Sequence, residues 1–180
     1  MVDLSDSNLV RNTLQGDTYA YGELVHRYQA SVFNVCYRLL GEQREAEDLA
    51  QEVFIRAYQR LQSFDAQRPF GPWIRRVAAN LCYNHLQINQ PVLLPILDEQ
   101  DYEVEKSHDP QTMIEISEKN KAVRQAIAKL PPAYRMVLEL RHYHELSYEE
   151  IAEELNLPLN TIRSHLFRAR KKMMAYLSEM

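Results

Sequence analysis

The chain has 180 residues, of which 46% are hydrophobic and 26% charged, with a formal net charge of −4. These values describe an ordinary soluble protein of one or two domains with a real core. They exclude a membrane-inserted chain, because no apolar run approaches the roughly 20 residues of a bilayer span and the N-terminus is polar rather than signal-like.

Only 4 glycines and few alternating β-branched runs predict an all-α fold. The first helix spans Asp6 to Gln15 and stops at Gly16. A second runs from near Asp17 to Gly41, with Leu24, Tyr28, Val32, Val35, Cys36 and Leu39 on one face. A third, from about Arg44 to Leu61, carries the regular apolar side Ala46, Leu49, Ala50, Val53, Phe54, Ala57, Tyr58 and Leu61. The loop SFDAQRPFGP follows from Ser63 to Pro72. A fourth helix from Trp73 to about Leu86 buries Ile74, Val77, Ala78 and Leu81. Cys36 and Cys82 form no CxxC and lie within apolar helical patterns, so they read as reduced, packed thiols of a cytoplasmic protein.

From Gln87 to about Thr112 the helical pattern fails. Pro91, Pro95 and Pro110 interrupt it, and Val92 to Leu97 is an isolated apolar patch. The expected organisation is a first domain over 1–88, an acidic linker over 89–112 and a second domain over 113–180. In the second domain one helix ends before Pro131-Pro132, and another covers about Ala133 to His142.

The stretch from Ser147 to Lys172 predicts two helices joined by a tight turn. Ser147 and Glu150 have the capping-box spacing, and Ile151, Ala152 and Leu155 form an apolar face. Asn156 and Pro158 interrupt, and Asn160 or Thr161 is placed to cap the next helix. There Ile162, Leu166, Ala169 and Met173 form a buried stripe, with Arg163, Ser164, Phe167, Arg168, Lys171 and Lys172 largely outside it. Pro158 to Lys172 holds five Arg or Lys residues and no acid. This is the pattern of a helix-turn-helix whose second helix enters the major groove of DNA. The plainer reading is a helical hairpin with a solvated basic face.

Charge is divided along the chain in a way that suits nucleic acid. Val53 to Ile88 carries five arginines against the lone acid Asp65, whereas Asp98 to Glu118 carries eight acids and only Lys106. Local charge, not the net value, governs phosphate contact.

The segments DLAQEVFIRAYQRLQSF, PWIRRVAANLCYNHL, LPPAYRMVLELR and LSYEEIAEELNLPLNTIRSHLFRARKK together resemble bacterial sigma factors of the extracytoplasmic-function group. The likeness covers almost the whole chain. It implies a region 2-like four-helix domain and a region 4-like helix-turn-helix domain, in a subunit that joins core RNA polymerase, directs it to promoters and opens the DNA.

The resemblance also implies sites. Asp48, Glu52, Ile55 and Gln59, with Gln51 beside them, form a stripe opposite the apolar face of the third helix. In the family this stripe docks on the clamp helices of the largest polymerase subunit, an exposed Ile among polar groups suiting a mixed protein interface. The flap of the second-largest subunit is the expected partner of the second domain. Phe64, Arg68, Phe70, Trp73, Arg76, Asn80 and Asn84 map to the −10 element, where unstacked bases are captured beside phosphate-binding Arg. Trp73 and Phe70 read equally as core residues. Thr161, Arg163, Ser164, His165, Phe167, Arg168 and Lys171 map to the −35 element, through bidentate Arg–guanine bonds, a Phe–thymine methyl contact and phosphate contacts. Asn160 stands where many members have Gly, and His165 where many have Arg or Lys. The linker acids are candidates to mimic phosphate in polymerase channels, or to serve as a plain soluble tether. An anti-sigma partner is implied by family habit.

An enzyme is not expected. The His144-Glu145 pair lacks the second His of a zinc-protease motif, and no phosphate-cradling loop or nucleophile constellation occurs. No metal and no cofactor are called for. The competing binding reading is an autonomous helix-turn-helix regulator of operator DNA, which would need neither the docking stripe nor the melting loop.

Overall fold

The computed structural model describes residues 5–89 and 117–179. Within them the chain is helical: α1 (Asp6–Leu14), α2 (Thr18–Leu40), α3 (Gln43–Arg60), α4 (Phe70–Asn89), α5 (Ser117–Ala128), α6 (Pro132–His142), α7 (Tyr148–Leu155) and α8 (Leu159–Ser178), with a 3₁₀ turn over Leu61–Ser63. The expected acidic linker and the Val92–Leu97 patch lie outside the described residues.

Local chemistry accounts for the boundaries. The Asp17 carboxylate accepts from the N–H groups of Tyr19 (2.9 Å) and Ala20 (3.2 Å) at the start of α2. The Gly41 N–H closes its end on Tyr37 from a left-handed conformation, φ +79°. Glu42 caps α3 through the N–H groups of Arg44 and Glu45. The capping box at α7 forms as its spacing indicated: Glu150 N–H donates to Ser147 Oγ at 3.1 Å, and Ser147 N–H to Glu150 Oε2 at 2.7 Å. Asn156 ends α7 in the left-handed region, φ +51°.

Two boundaries differ from the sequence expectation. Helix α4 begins at Phe70, three residues before Trp73, because Pro72 falls in the first turn, where its missing N–H costs no hydrogen bond. Helix α8 begins at Leu159, so neither Asn160 nor Thr161 caps it. The Pro158 carbonyl receives the Thr161 N–H at 2.9 Å and the Ile162 N–H at 3.3 Å.

Helices α1 to α4 pack around Leu24, Val32, Val35, Leu39, Val53, Ile74 and Ala78; α5 to α8 pack around Met136, Leu140, Ile151, Ile162 and Leu166. The two sets meet, since α6 packs on α2 and α4 as well as on α7 and α8, and their buried residues form one continuous cluster. Burying apolar surface at about 25 cal/mol per Å² supplies the main favourable term for both sets and for their junction. Cys36 and Cys82 are buried, unbridged thiols. A hydrogen bond with Cys36, then burial, pushes the Cys82 thiol above its ordinary pKa. No helix among the described residues is long and apolar enough to cross a membrane.

Candidate nucleic-acid and docking interfaces

The outer face of α3 carries the first candidate surface. Ala46, Ala50, Val53, Phe54 and Ala57 turn into the core, which leaves Asp48, Gln51, Ile55 and Gln59 exposed and Glu52 half-buried. Ile55 is 54% exposed, unusual for so apolar a side chain, and Tyr58 stands near it at 46%. The Tyr58 ring meets Tyr21 edge-on at 4.9 Å. Glu52 is held by Arg56 Nε at 2.8 Å, one turn on. The stripe therefore presents exposed apolar groups bordered by acids on one side of α3.

The loop between α3 and α4 is built on aromatic packing. Phe64 meets Phe70 at 5.6 Å in a T-shape and Trp73 at 4.8 Å, and Phe70 meets Tyr28 of α2 at 5.3 Å. Phe64 and Phe70 are buried and Trp73 is partly buried, so these rings anchor the loop rather than standing open. Gly71 is required where the chain passes Tyr28, since a Cβ there would lie 2.9 Å from Tyr28 Cε1. The anchored loop holds Arg68 in solvent, 3.5 Å from Asp65. On α4, Arg76, Asn80 and Asn84 are spaced four apart and share one side, with Asn84 exposed and the other two half-buried.

That side is not empty. Asn80 Nδ2 donates a short hydrogen bond to Glu154 Oε1 of α7, and Arg76 Nη1 lies 3.7 Å from Glu154 Oε2. The Nε of Arg76 is buried and makes no hydrogen bond within the protein. A second ionic contact joins α2 to α6: Arg38 donates from Nε to Glu139 Oε2 at 2.9 Å and from Nη2 to Glu139 Oε1 at 2.6 Å. His144 Nε2 lies 3.5 Å from Glu139 Oε1, and the Arg38 guanidinium sits 4.0 Å from the Tyr143 ring centroid. Burial alone would raise the Glu139 pKa, but the two bonds from Arg38 and the nearby His144 outweigh it and the net shift is downward.

Helix α8 divides the seven sequence-nominated residues. Arg163, Phe167 and Lys171 lie on one exposed stripe, with Phe167 54% open to solvent, and Asn160 extends it by a turn. Arg168 is half-buried at its edge. Ser164 and His165 are buried, because α5, α6 and α7 all pack on α8 and cover more of it than the Ile162–Met173 stripe. His165 stacks at a tilt on Tyr134, 5.3 Å between rings, and burial, then Arg168, lowers its pKa. Thr161 is half-buried and its N–H is already bonded to Pro158, so the open N–H groups at this helix start belong to earlier residues. Asn160, a candidate cap in the sequence, is instead exposed within α8, three residues before Arg163 and seven before Phe167. Among the described residues no group of three His, Cys, Asp or Glu is arranged to hold a metal ion.

The sequence matches the family model for sigma-70 region 2 over residues 24–90 and that for sigma-70 region 4 over residues 120–173. It is 33% identical over 179 residues to the ECF RNA polymerase sigma factor SigW of Bacillus subtilis, covering 95% of this chain and 96% of that one. It is 34% identical to the ECF RNA polymerase sigma-E factor of Escherichia coli strain K12, covering 93% and 92%. Among solved structures, the fold is similar to CnrH in complex with the cytosolic domain of CnrY, with TM-score 0.60, 23% identity and 97% of each chain covered. It is similar also to the sigma factor RpoE of Bartonella quintana in complex with the anti-sigma factor NepR, with TM-score 0.60, 20% identity, and 88% and 96% covered.

Proposed function

The chain belongs to the extracytoplasmic-function sigma factors, which direct promoter recognition by RNA polymerase, and from that premise we propose how its surfaces divide the work. The exposed stripe Asp48, Gln51, Glu52, Ile55 and Gln59 docks on the clamp helices of the largest core subunit, and the second unit meets the flap of the second-largest. Ile55 inserts as the apolar anchor while the acids set register. The observation that carries this reading is a helix with its apolar side in the core and a large aliphatic group left 54% exposed among carboxylates.

Promoter DNA is held at two places. Arg163, Phe167 and Lys171 on the open stripe of α8 face the major groove of the upstream element, with Arg168 at the flank and Asn160 at the leading turn. On α4, Arg76 and Asn80 take the displaced strand of the downstream element. Asn80 offers a paired donor and acceptor to a base edge, the Arg76 guanidinium brings positive charge for phosphate, and Arg68 and Asn84 border them. Phe64, Phe70 and Trp73 support this site by fixing the loop. Ser164 and His165 act through packing, by setting the pitch of α8. The chain performs no catalysis of its own; bond formation belongs to the core. Its place of work is the cytoplasm, with the chromosome. An anti-sigma factor is a further expected partner, since the related RpoE of Bartonella quintana is seen with NepR.

The test is initiation on a duplex promoter with purified core polymerase, with and without this chain. Initiation dependent on the chain is the expected result. Tight promoter binding without core, and no initiation with it, would sink the assignment.

A further inference from the structure

The first turn of α1 reaches the loop between α3 and α4. Leu9, Val10 and Thr13 turn inward, and the helix packs on α2 and on the 3₁₀ turn Leu61–Ser63 that leads into that loop. Asp6 and Ser7 open the helix, and each makes a bond across the chain. Ser7 Oγ donates to the carbonyl of Ala66, in the middle of the loop, at 3.2 Å. Asp6 receives Arg27 Nη1 on Oδ1 at 2.8 Å and a short hydrogen bond from the Tyr28 hydroxyl on Oδ2. Burial, then the Asp6 carboxylate, pushes the Tyr28 hydroxyl up to about 12, so at neutral pH it keeps the proton it donates.

Tyr28 carries that bond to the far end of the same loop. Its ring meets Phe70 at 5.3 Å and lies so close to Gly71 that a Cβ there would be 2.9 Å from Tyr28 Cε1. Phe70 in turn meets Phe64 and Trp73. Two adjacent residues of α1 therefore hold the loop at two points, Ser7 at its middle and Asp6, through Tyr28, where α4 begins. Bonds inside the loop are of another kind. The Asp65 carbonyl accepts from the Arg68 N–H at 2.9 Å, and the Asp65 carboxylate from the Gln67 N–H at 3.0 Å. Such bonds shape a turn, but its direction relative to the helices is set by ties to other elements. Ser7 and Ala66 are both exposed, so water would serve either group as well. Their bond adds little stability, and its consequence is where the loop sits.

We propose that Asp6 and Ser7 are positioning residues for promoter opening, which act through the loop rather than on DNA and set the direction in which it presents Arg68 to the displaced strand. The proposal rests on the reading of Arg68, Arg76 and Asn80 as contacts of that strand. Opening is the step that depends on it. A base leaves the duplex stack only transiently, so the groups that capture it must already be in place. A strand that is already single makes no such demand.

The experiment uses the full chain with purified core polymerase on a duplex promoter carrying 2-aminopurine in the −10 element, whose fluorescence rises as bases unstack. Ser7→Ala and Tyr28→Phe each remove one hydroxyl and leave the helix and the ring. Each should slow opening about threefold and the pair about tenfold, in keeping with one hydrogen bond apiece. Ser7→Thr keeps the hydroxyl and should open at the wild-type rate. On a template premelted across the same element all variants should initiate at the wild-type level, whereas a merely structural loss would appear on both templates. Emission of Trp73, the chain's single tryptophan, should shift to the red in the double variant as the loop's ring packing loosens. Arg11→Ala, exposed one turn further along α1, should change nothing. Wild-type opening by the double variant overturns the proposal. So does an equal loss on both templates, an unaltered Trp73 emission, or slow opening by Ser7→Thr. Arg76→Ala and Asn80→Ala are run alongside. If they too open the duplex normally, the single-strand reading itself falls; if they slow opening while the double variant does not, only the positioning role falls.

Discussion

Removing Arg38 should loosen the junction between the two helical sets rather than melt either one. Its guanidinium makes two short hydrogen bonds to a carboxylate that is only 3% exposed, while its own side chain is 21% exposed. Truncating one partner of a fully buried pair costs about 3–5 kcal/mol, mostly by stranding the remaining charge. Two features reduce that here: water reaches Arg38, and His144 remains 3.5 Å from Glu139 as a substitute partner. The lost stacking on Tyr143 adds about 0.5–1 kcal/mol. The expected loss for Arg38→Ala is therefore about 3 kcal/mol, which is roughly a hundredfold shift of the junction equilibrium toward separation. The assay is a urea melt followed by circular dichroism and, in parallel, by a label-to-label distance across the junction. The distance should change at lower urea than the helix signal does, and Glu139→Leu added to Arg38→Ala should recover much of the loss, since no charge is then stranded. If Arg38→Ala shifts both signals together, or costs under about 0.5 kcal/mol, the junction is not held by this pair and the reasoning is refuted.

Asp48→Ala with Glu52→Ala should weaken binding to core polymerase with helix content unchanged; a normal affinity in a core-binding titration removes that surface from the interface. Arg163→Ala and Arg168→Ala should each cost about 1–3 kcal/mol on the cognate upstream element. An equal loss on scrambled duplex would make the residue a phosphate contact instead. His165 has a lowered pKa when folded, so its contribution is complete above the ordinary histidine value, about 6.5, and is lost as pH falls toward the lowered one. Melts of the wild type and His165→Gln should show a shallower decline below pH 6.5 for the variant, and parallel declines would refute a role for His165. Glu139 follows the carboxylate rule: its bonding is fully present above about pH 4.3 and is lost as pH falls through its lowered value, so acid should open the junction in the wild type but not in Glu139→Gln.

Most of the local structure was legible in the chain. Asp17, Gly41, Ser147 with Glu150, and Asn156 mark helix ends through bonds made within three or four residues, and the Ile162–Leu166–Ala169–Met173 period marks the inner side of α8. The exposed stripe of α3, which we propose as the docking face, was legible for the same reason, as the complement of an apolar period. Where the reading erred locally, at the starts of α4 and α8, a proline's tolerance of the first turn or its carbonyl replaced the side-chain cap that the residue types suggested.

Helical period states which side of a helix is apolar, and it does so from neighbours alone. It cannot state how many partners will cover that helix. Ser164 and His165 look exposed on a wheel, yet they are buried because α5, α6 and α7 close over them. Arg135 and Glu139 look like solvent charges until Arg38, 101 positions before Glu139, arrives to pair with one of them. Glu154 reads as one more acid on a polar helix, and only packing across 74 positions sets it on Asn80. The sequence by itself determined the helices, their inner faces and the family's two DNA-facing modules. Tertiary structure alone decided which of those faces are open in the free chain, because that depends on contacts between segments too distant for any local pattern to encode.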